Sequence, residues 1–320
     1  SEVCGACHTG SAGGGHYDQW LQSRHSRVTE IPAEEFEEGT ALISCGVCHS
    51  GDYRVRALVQ GEVVDNDDLA GVPPEAQHAV ECAVCHNPHA RTGNAANPEG
   101  NRDFQLRYRE IANPTPEEDA LAVTDVNRFG LCGQCHHDRG RTWAQTDRGP
   151  HPSNQGNVFI GEMAVPPGTP LLVLSRVSVH NFAPEQCATC HLPRSTGSEL
   201  VPPVSLHRFA VEDFGRCAAT GCHPSAGQAA AAKATLQTEI ETRIITIEGL
   251  LNARYGSPAG WEFAREGGPA DQSQFPPEVL QARFLWGYAL ADGSLGIHNP
   301  DYIRTMLVQA ELLLRSLPPP

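Results

Sequence analysis

A loop-rich, mostly irregular and α-helical fold is predicted, and three observations predict it. All 12 cysteines fall in six pairs, each followed at once by a histidine, and every pair lies before residue 226. Glycine (31) and proline (25) are abundant while aromatic residues make up only 6% of the chain, so little of it can form a conventional core. Long periodic apolar runs occur only after residue 225, where the pattern becomes that of amphipathic helices.

Five of the pairs are C-x-x-C-H: Cys4, Cys7 and His8; Cys45, Cys48 and His49; Cys82, Cys85 and His86; Cys132, Cys135 and His136; Cys187, Cys190 and His191. The sixth has a longer spacer, with Cys217, Cys222 and His223. Both thiols of such a pair can add to the two vinyl groups of one haem, and the adjoining histidine becomes the proximal iron ligand. One such motif arises by chance quite often; six with no cysteine left over do not. A disulfide framework needs no histidine after every second cysteine. Zinc sites complete a C-x-x-C pair with another pair or a distant histidine. A thioredoxin-like motif comes once per domain. Six covalent haem c groups are expected.

Between Cys4 and His223 each motif has roughly 37 residues of chain, too few for a core of its own. Stacked porphyrins are expected to form the core of residues 1–225, with the polypeptide as a wrapper: a multihaem cytochrome fold. Short helical turns should surround each motif, and Leu171 to Val179 reads as a short strand or an extended loop. Residues 226–320 carry no motif and should form a separate helical hairpin or bundle. Its first helix runs from Ala226 to about Tyr255 with Leu236, Ile240, Ile244, Ile247 and Leu251 on one face, and Gly256 ends it. A second starts at Pro276 and Pro277 and carries Val279, Leu280, Phe284 and Tyr288. A third has Asn299 as N-cap and Pro300 in its first turn, and continues through Tyr302, Met306, Ala310, Leu313 and Leu317.

The formal net charge of −15 argues against nucleic acid and anionic lipid surfaces as partners. Lys233 is the single lysine; the arginines that make up the remaining cations either clamp haem propionates or reflect compositional bias. No stretch reaches the roughly 18 apolar residues of a membrane span, so no membrane insertion is expected. Haem attachment of this type takes place outside the cytoplasmic membrane. The chain opens at Ser1 without a charged or apolar leader and has no spare cysteine for a lipid anchor, so it reads as a mature exported form. An extracellular or cell-surface location is expected, with the periplasm as alternative. Acidic stretches at 34–38, 65–68 and 117–119 read as solvated loops; Ca²⁺ at one of them is a minor alternative, since none has the spacing of a calcium loop.

A low-spin haem needs a second axial ligand. With six of 15 histidines proximal, nine remain: His16, His25, His78, His89, His137, His151, His180, His207 and His298. The two methionines are Met163 and Met306, and Met306 sits on a helical core stripe. Bis-histidine ligation is the economical reading, and it implies low potentials relative to His/Met haems.

The run from His16 through Trp20 and Ser23 to His25 resembles the W-x-x-S-x-H segment of the hydroxylamine oxidoreductase and octahaem tetrathionate reductase group, in which the histidine is a distal ligand. Cys85-His86-Asn87-Pro88-His89 is similar to a C-H-x-P-H signature whose second histidine ligates a neighbouring haem. The segments around His151, His180, His207 and His298 also resemble distal-ligand segments of that group. His137, next to His136, and the long spacer between Cys217 and Cys222 resemble the small tetrahaem cytochromes of sulfate reducers. The resemblance implies distal ligands at His25, His89, His151, His180, His207 and His298, with His16, His137 and His78 in reserve.

Two function classes follow. One is electron transfer along the haems, with no catalytic residue. The other is catalysis on a small nitrogen or sulfur compound, which needs an iron with an open position. Every motif ends in histidine and Lys233 follows no cysteine pair, so the C-x-x-C-K device of nitrite reductases is absent. The tyrosine crosslink of hydroxylamine oxidoreductases stays open for Tyr17, Tyr53 or Tyr108. The supply of histidines favours electron transfer. Its partners would be redox proteins or extracellular acceptors, and also further copies of the chain. A head-to-tail contact at the first haem would not close and would propagate as a fibre. Such a fibre resembles extracellular cytochrome filaments in haem count and ligand type, some of which take a distal histidine from the adjacent subunit. A soluble shuttle is the rival.

Overall fold

The computed structural model of the chain describes residues 2–10, 14–27, 40–64, 79–89, 105–107, 129–169, 178–183, 186–194, 205–219 and 221–319. The described regular elements are helical or turn-like. Their β pairing amounts to two isolated bridges, His86 with Leu106 and Arg194 with Ser205.

In chain order the short helices are α1 (Glu2–His8), α2 (His16–Leu21), α3 (Thr40–His49), α4 (Gly51–Arg54), α5 (Cys82–Cys85), α6 (Phe129–Gly133), α7 (Gln155–Ile160), α8 (Cys187–His191) and α9 (Gly215–Ala219). Three of them, α1, α3 and α8, hold both cysteines and the histidine of a motif, α5 holds the two cysteines of the third, and α6 and α9 hold the first cysteine of the fourth and the sixth. In the three complete cases the reason is geometric: positions i, i+3 and i+4 share one helical face, so a single turn presents both thiols and the histidine together. The long helices are α10 (Ala226–Tyr255), α11 (Pro277–Ala291) and α12 (Pro300–Ser316).

By compactness the chain forms two units. Unit one is Ser1–Pro116, Ala122–Cys135 and Pro184–Cys217; unit two is Glu117–Leu121, His136–Ala183 and Ala218–Pro320. The division expected at residue 226 marks where the motifs end, whereas compactness marks which segments pack together. The chain passes from one unit to the other inside the fourth motif, after Cys135, and inside the sixth, after Cys217.

Unit two holds the main apolar core. Ser225 caps α10 by accepting from the Gln228 N–H, and the buried stripe is Leu236, Ile240, Ile244, Ile247 and Leu251. The Asn299 side chain accepts from the Tyr302 N–H to start α12, whose Ile303, Met306, Leu307 and Ala310 are fully buried. Both methionines belong to this core, Met306 inside it and Met163 packed against it, which accounts for them without iron. The α10–α11 connection is held by Arg283. Its guanidinium donates to the carbonyls of Trp261 and Glu262 and to Gln272 Oε1, and lies 4.0 Å over the Phe263 ring. Burial pushes Arg283 down to about 10.

Unit one has a smaller core. Val47 and Tyr53 are buried with Cys45 and Cys48 packed around them. Arg54, 3% exposed, donates to the carbonyl of Val47 and to Gln134 Oε1. A Cβ at Gly51 would stand 2.1 Å from the Ala79 carbonyl oxygen, so only glycine lets α4 approach the segment before α5. Among the described residues of unit one this apolar cluster is small and is built around motif cysteines.

Candidate haem-ligand sites

Thiols of the third, fourth, fifth and sixth motifs lie near one another in unit one. Cys48 Sγ lies 3.6 Å from the Gln134 carbonyl oxygen. Burial pushes the Cys85 thiol up to about 12, and Cys132 and Cys135 add to the shift. Cys132 is held well up by its hydrogen bond to Cys187 and by burial. Cys190 is raised by burial and by Cys217. No disulfide joins any of the cysteines. These surroundings penalise thiolates; a thioether sulfur carries no charge and meets no such penalty, so the positions suit covalent attachment.

Six histidines share a pattern of hydrogen bonding at Nδ1. Nδ1 of His136 lies 3.1 Å from Gln155 Oε1, that of His180 2.7 Å from the Ile297 carbonyl, and that of His191 3.0 Å from the Phe209 carbonyl. Nδ1 of His207 lies 3.0 Å from the Ser205 carbonyl, and that of His298 2.6 Å from Asp292 Oδ1. Each partner is an acceptor, so Nδ1 carries the proton. The sixth case is His151, 2.6 Å from Ser153 Oγ. That hydroxyl donates its single proton to the His137 carbonyl at 2.6 Å, so toward His151 it accepts. In all six Nδ1 carries the proton, so in the neutral ring the lone pair that can bind iron is on Nε2, and the Nδ1–H bond fixes the ring's orientation. His137 is posed the other way: its Nδ1 accepts from the Arg139 N–H at 3.1 Å, which places the proton on Nε2.

In unit one, α2 brings two motifs' histidines together. The His8 and His16 ring centroids are 6.2 Å apart, His86 and His207 6.2 Å, and His16 and His207 4.7 Å. Trp20 Nε1 donates to the Val80 carbonyl at 2.9 Å, and the Val80 N–H donates to the His25 carbonyl at 2.8 Å. This docks the W-x-x-S-x-H segment beside the third motif. The His25 ring packs edge-on against Phe209 at 4.3 Å. Burial lowers His207 to about 4, with smaller contributions from the charges of His16, His86 and His8, and so favours the neutral, ligating form.

After α5 the chain is clamped by Arg107, whose Nε donates to the carbonyls of Ala83 and His86, both at 2.9 Å. His89 is exposed and has φ 61, with its N–H donating to Gln105 Oε1 at 2.7 Å. Beside His191 a small pocket of about 80 Å³ is lined by Pro193, Leu206, Arg208 and Asp213.

In unit two, burial lowers His180, and the charges of His223 and His298 lower it further, so the histidine of the sixth motif lies near two of the distal candidates. His298 is raised: burial opposes its charge, but the Asp292 carboxylate outweighs that. The Asn154 side chain donates to the Tyr288 carbonyl at 2.8 Å, and Tyr288 donates to Asp138 Oδ2 at 2.8 Å, which fixes the segment carrying His136, His137 and His151.

Of the other candidates, Tyr17 packs at the first motif and Tyr53 at the second. His49 is half-buried at the end of α3. His78, Tyr108, the three acidic stretches and residues 171–177 lie outside the described residues. Sequence reading did not find the groups that take these Nδ1 protons, the side chains of Asp292, Ser153 and Gln155 and the carbonyls of Ser205, Phe209 and Ile297. Carbonyl partners leave no trace in residue type. Only a carboxylate near a histidine in sequence could have marked Asp292.

No family model matches the chain. Among solved structures it is similar to the crystal structure of the outer cell wall cytochrome OcwA, with a TM-score of 0.58 and 23% identity over 93% of this chain and 50% of that one. The chain has the loop-rich helical fold of a multihaem cytochrome. It spans half the length of OcwA. The donor set fits haem c. Both cysteines and the histidine share a helical turn in the first, second and fifth motifs, Cys85, Cys132 and Cys190 sit where a thiolate is disfavoured, and a proton on Nδ1 puts the lone pair of the neutral ring on Nε2. Among the described residues no helix is long and apolar enough to cross a membrane.

Proposed function

We propose that the chain is an exported electron carrier that holds six haem c groups with bis-histidine ligation. The observation that carries this reading is the Nδ1–H pattern. Six histidines from separate segments each turn Nδ1–H to an acceptor, which surface histidines have no common reason to do. When bound, each haem supplies one-electron oxidation and reduction of its iron. The chain's own part is position and potential. Cys4 and Cys7, Cys45 and Cys48, Cys82 and Cys85, Cys132 and Cys135, Cys187 and Cys190, and Cys217 and Cys222 attach the groups. His8, His49, His86, His136, His191 and His223 serve as proximal ligands. His151, His180, His207 and His298 are distal ligands with fixed tautomers; His25 and His89 complete the first-choice set. The likeness to a cell wall cytochrome supports an extracellular or cell-surface location over the periplasm.

The test is intact mass together with ferric electron paramagnetic resonance. The reading requires the polypeptide plus six haems and low-spin signals alone. A mass with fewer haems would overturn the count. A substantial high-spin signal would favour reductase chemistry on a small nitrogen or sulfur compound.

A head-to-tail polymer is a second reading. It is favoured by the exposure of Cys7 and His8 and of Val3, which is 89% exposed beside the first motif. A porphyrin attached there would present an apolar edge, and such a patch favours association. Sedimentation and electron microscopy of the native protein decide it: fibres support the polymer, and a sharp monomer leaves a shuttle.

A further inference from the structure

The His8 and His16 ring planes are inclined by 47° with centroids 6.2 Å apart, and the His86 and His207 planes by 35° at the same 6.2 Å. Two imidazoles that bind one metal ion through nitrogen at about 2.0 Å, from opposite sides, hold their ring centroids about 6 Å apart. Both pairs of a motif histidine with a non-motif histidine have that spacing. His16 and His207, at 4.7 Å and 68°, are too close to face each other across an iron and are in edge-on ring contact.

We propose that His16 is the distal ligand of the first haem and His207 that of the third, and that these two haems are electron-transfer neighbours through the contact between the two rings. The inference rests on the haem-attachment reading above. It sets the first haem beside the third although the second motif lies between them in sequence. It also gives the first haem a distal ligand from its own chain, so no histidine from an adjacent subunit is required. His16, a reserve in the sequence reading, takes precedence at this haem over His25, which packs on Phe209.

The scaffold around the quartet supports it. One helix, α2, holds both distal rings: it carries His16, and its Gln19 Oε1 accepts from the His207 N–H at 2.7 Å. The Ser205 carbonyl takes the Nδ1 proton of His207 and so aims the Nε2 lone pair away from itself. The helix is fixed at both ends of the path. Asp18 Oδ2 accepts from the Gly10 N–H at 2.8 Å just past the first motif, and Trp20 donates to Val80 just before the third. A Cβ at Gly5 would stand 2.9 Å from the Tyr17 ring, so the glycine inside the first motif is what lets α2 lie this close to His8.

The experiment uses the full haem-loaded protein with His16→Ala, His207→Ala, the double variant and His16→Met. Intact mass is read first. Wild-type protein with fewer than six haems overturns the underlying reading. With all haems present, each alanine variant is expected to turn one haem in six high-spin, and added imidazole to return it to low-spin. An exclusively low-spin spectrum in either variant overturns that ligand assignment. The methionine variant keeps a ligand and guards against loss of structure: one haem is expected to move to higher potential, and an unchanged titration overturns the assignment of His16. In the double variant the two high-spin signals should broaden each other through dipolar coupling. A spectrum equal to the sum of the single variants overturns the neighbour relation.

Discussion

The Asp292 carboxylate lies 2.6 Å from Nδ1 of His298, the one carboxylate among the Nδ1 partners described here. Every other such histidine donates to a neutral carbonyl, amide or hydroxyl oxygen. An anionic acceptor draws the Nδ1 proton toward itself and makes Nε2 the more basic ligand. A more basic ligand stabilises the ferric over the ferrous state. The haem served by His298 is therefore expected at the low end of the protein's potential range.

Asp292→Asn tests this with little change of shape. One component of the spectroelectrochemical titration should move to higher potential while the others stay, with all haems six-coordinate. Asp292 also accepts from Ser294 Oγ, so the asparagine variant retains part of the local network. A titration superimposable on that of the wild type would remove the tuning role.

Gly5 makes a second prediction. The Cβ introduced by Gly5→Ala would press on the Tyr17 ring at 2.9 Å, and the branched side chain of Gly5→Val would press harder. Overpacking of this kind costs about 1–3 kcal/mol. The melting temperature should fall in the order Gly, Ala, Val. The valine variant should also gain high-spin iron, because α2 and His16 are displaced together. Equal stability of all three proteins would show that α2 is not seated by this contact.

Different parts of the molecule were legible in the sequence to different degrees, for physical reasons. The motif helices and the three C-terminal helices were plain, since thiol spacing, apolar period and caps are all local. Ala226, Tyr255, Pro277, Asn299 and Pro300 fall where the local signals place them. The pairing of His86 with His207 was not legible, because it joins segments more than a hundred residues apart through a backbone carbonyl and a glutamine. The passage between units inside the fourth and sixth motifs was invisible too, since no composition change accompanies it. Kinship with the hydroxylamine oxidoreductase group rests on short motifs alone, whereas the fold comparison reaches a cell wall cytochrome.

Arg283 separates the stability of the helical core from the haem ligation. Replacing it by methionine keeps much of its volume but leaves the Trp261 carbonyl and Gln272 Oε1 without their Arg283 donor, while the Glu262 carbonyl keeps Gln272 Nε2 at 3.1 Å. Each unsatisfied buried acceptor costs about 1–3 kcal/mol. Arg283→Met is expected to lower the far-ultraviolet circular dichroism melt, with the low-spin haem spectrum at room temperature unchanged. A variant as stable as the wild type would mean that these acceptors find other donors.

His137 and His151 lie close in unit two, and their tautomers separate them. Ser153 accepts the Nδ1 proton of His151, which leaves Nε2 of that ring as a metal donor. The Arg139 N–H donates to Nδ1 of His137, which leaves Nε2 of that ring protonated. A protonated ring nitrogen has no lone pair for iron, so ligation by His137 would require the Arg139 contact to break. His137→Ala should therefore keep every haem low-spin. It should still lose stability, by about 1–3 kcal/mol, because His137 is only 2% exposed and the Arg139 N–H loses its acceptor. His151→Ala should convert one haem to high-spin, with recovery on adding imidazole. The opposite result, high-spin iron in the His137 variant and none in the His151 variant, would transfer the ligand role to the histidine doublet of the fourth motif.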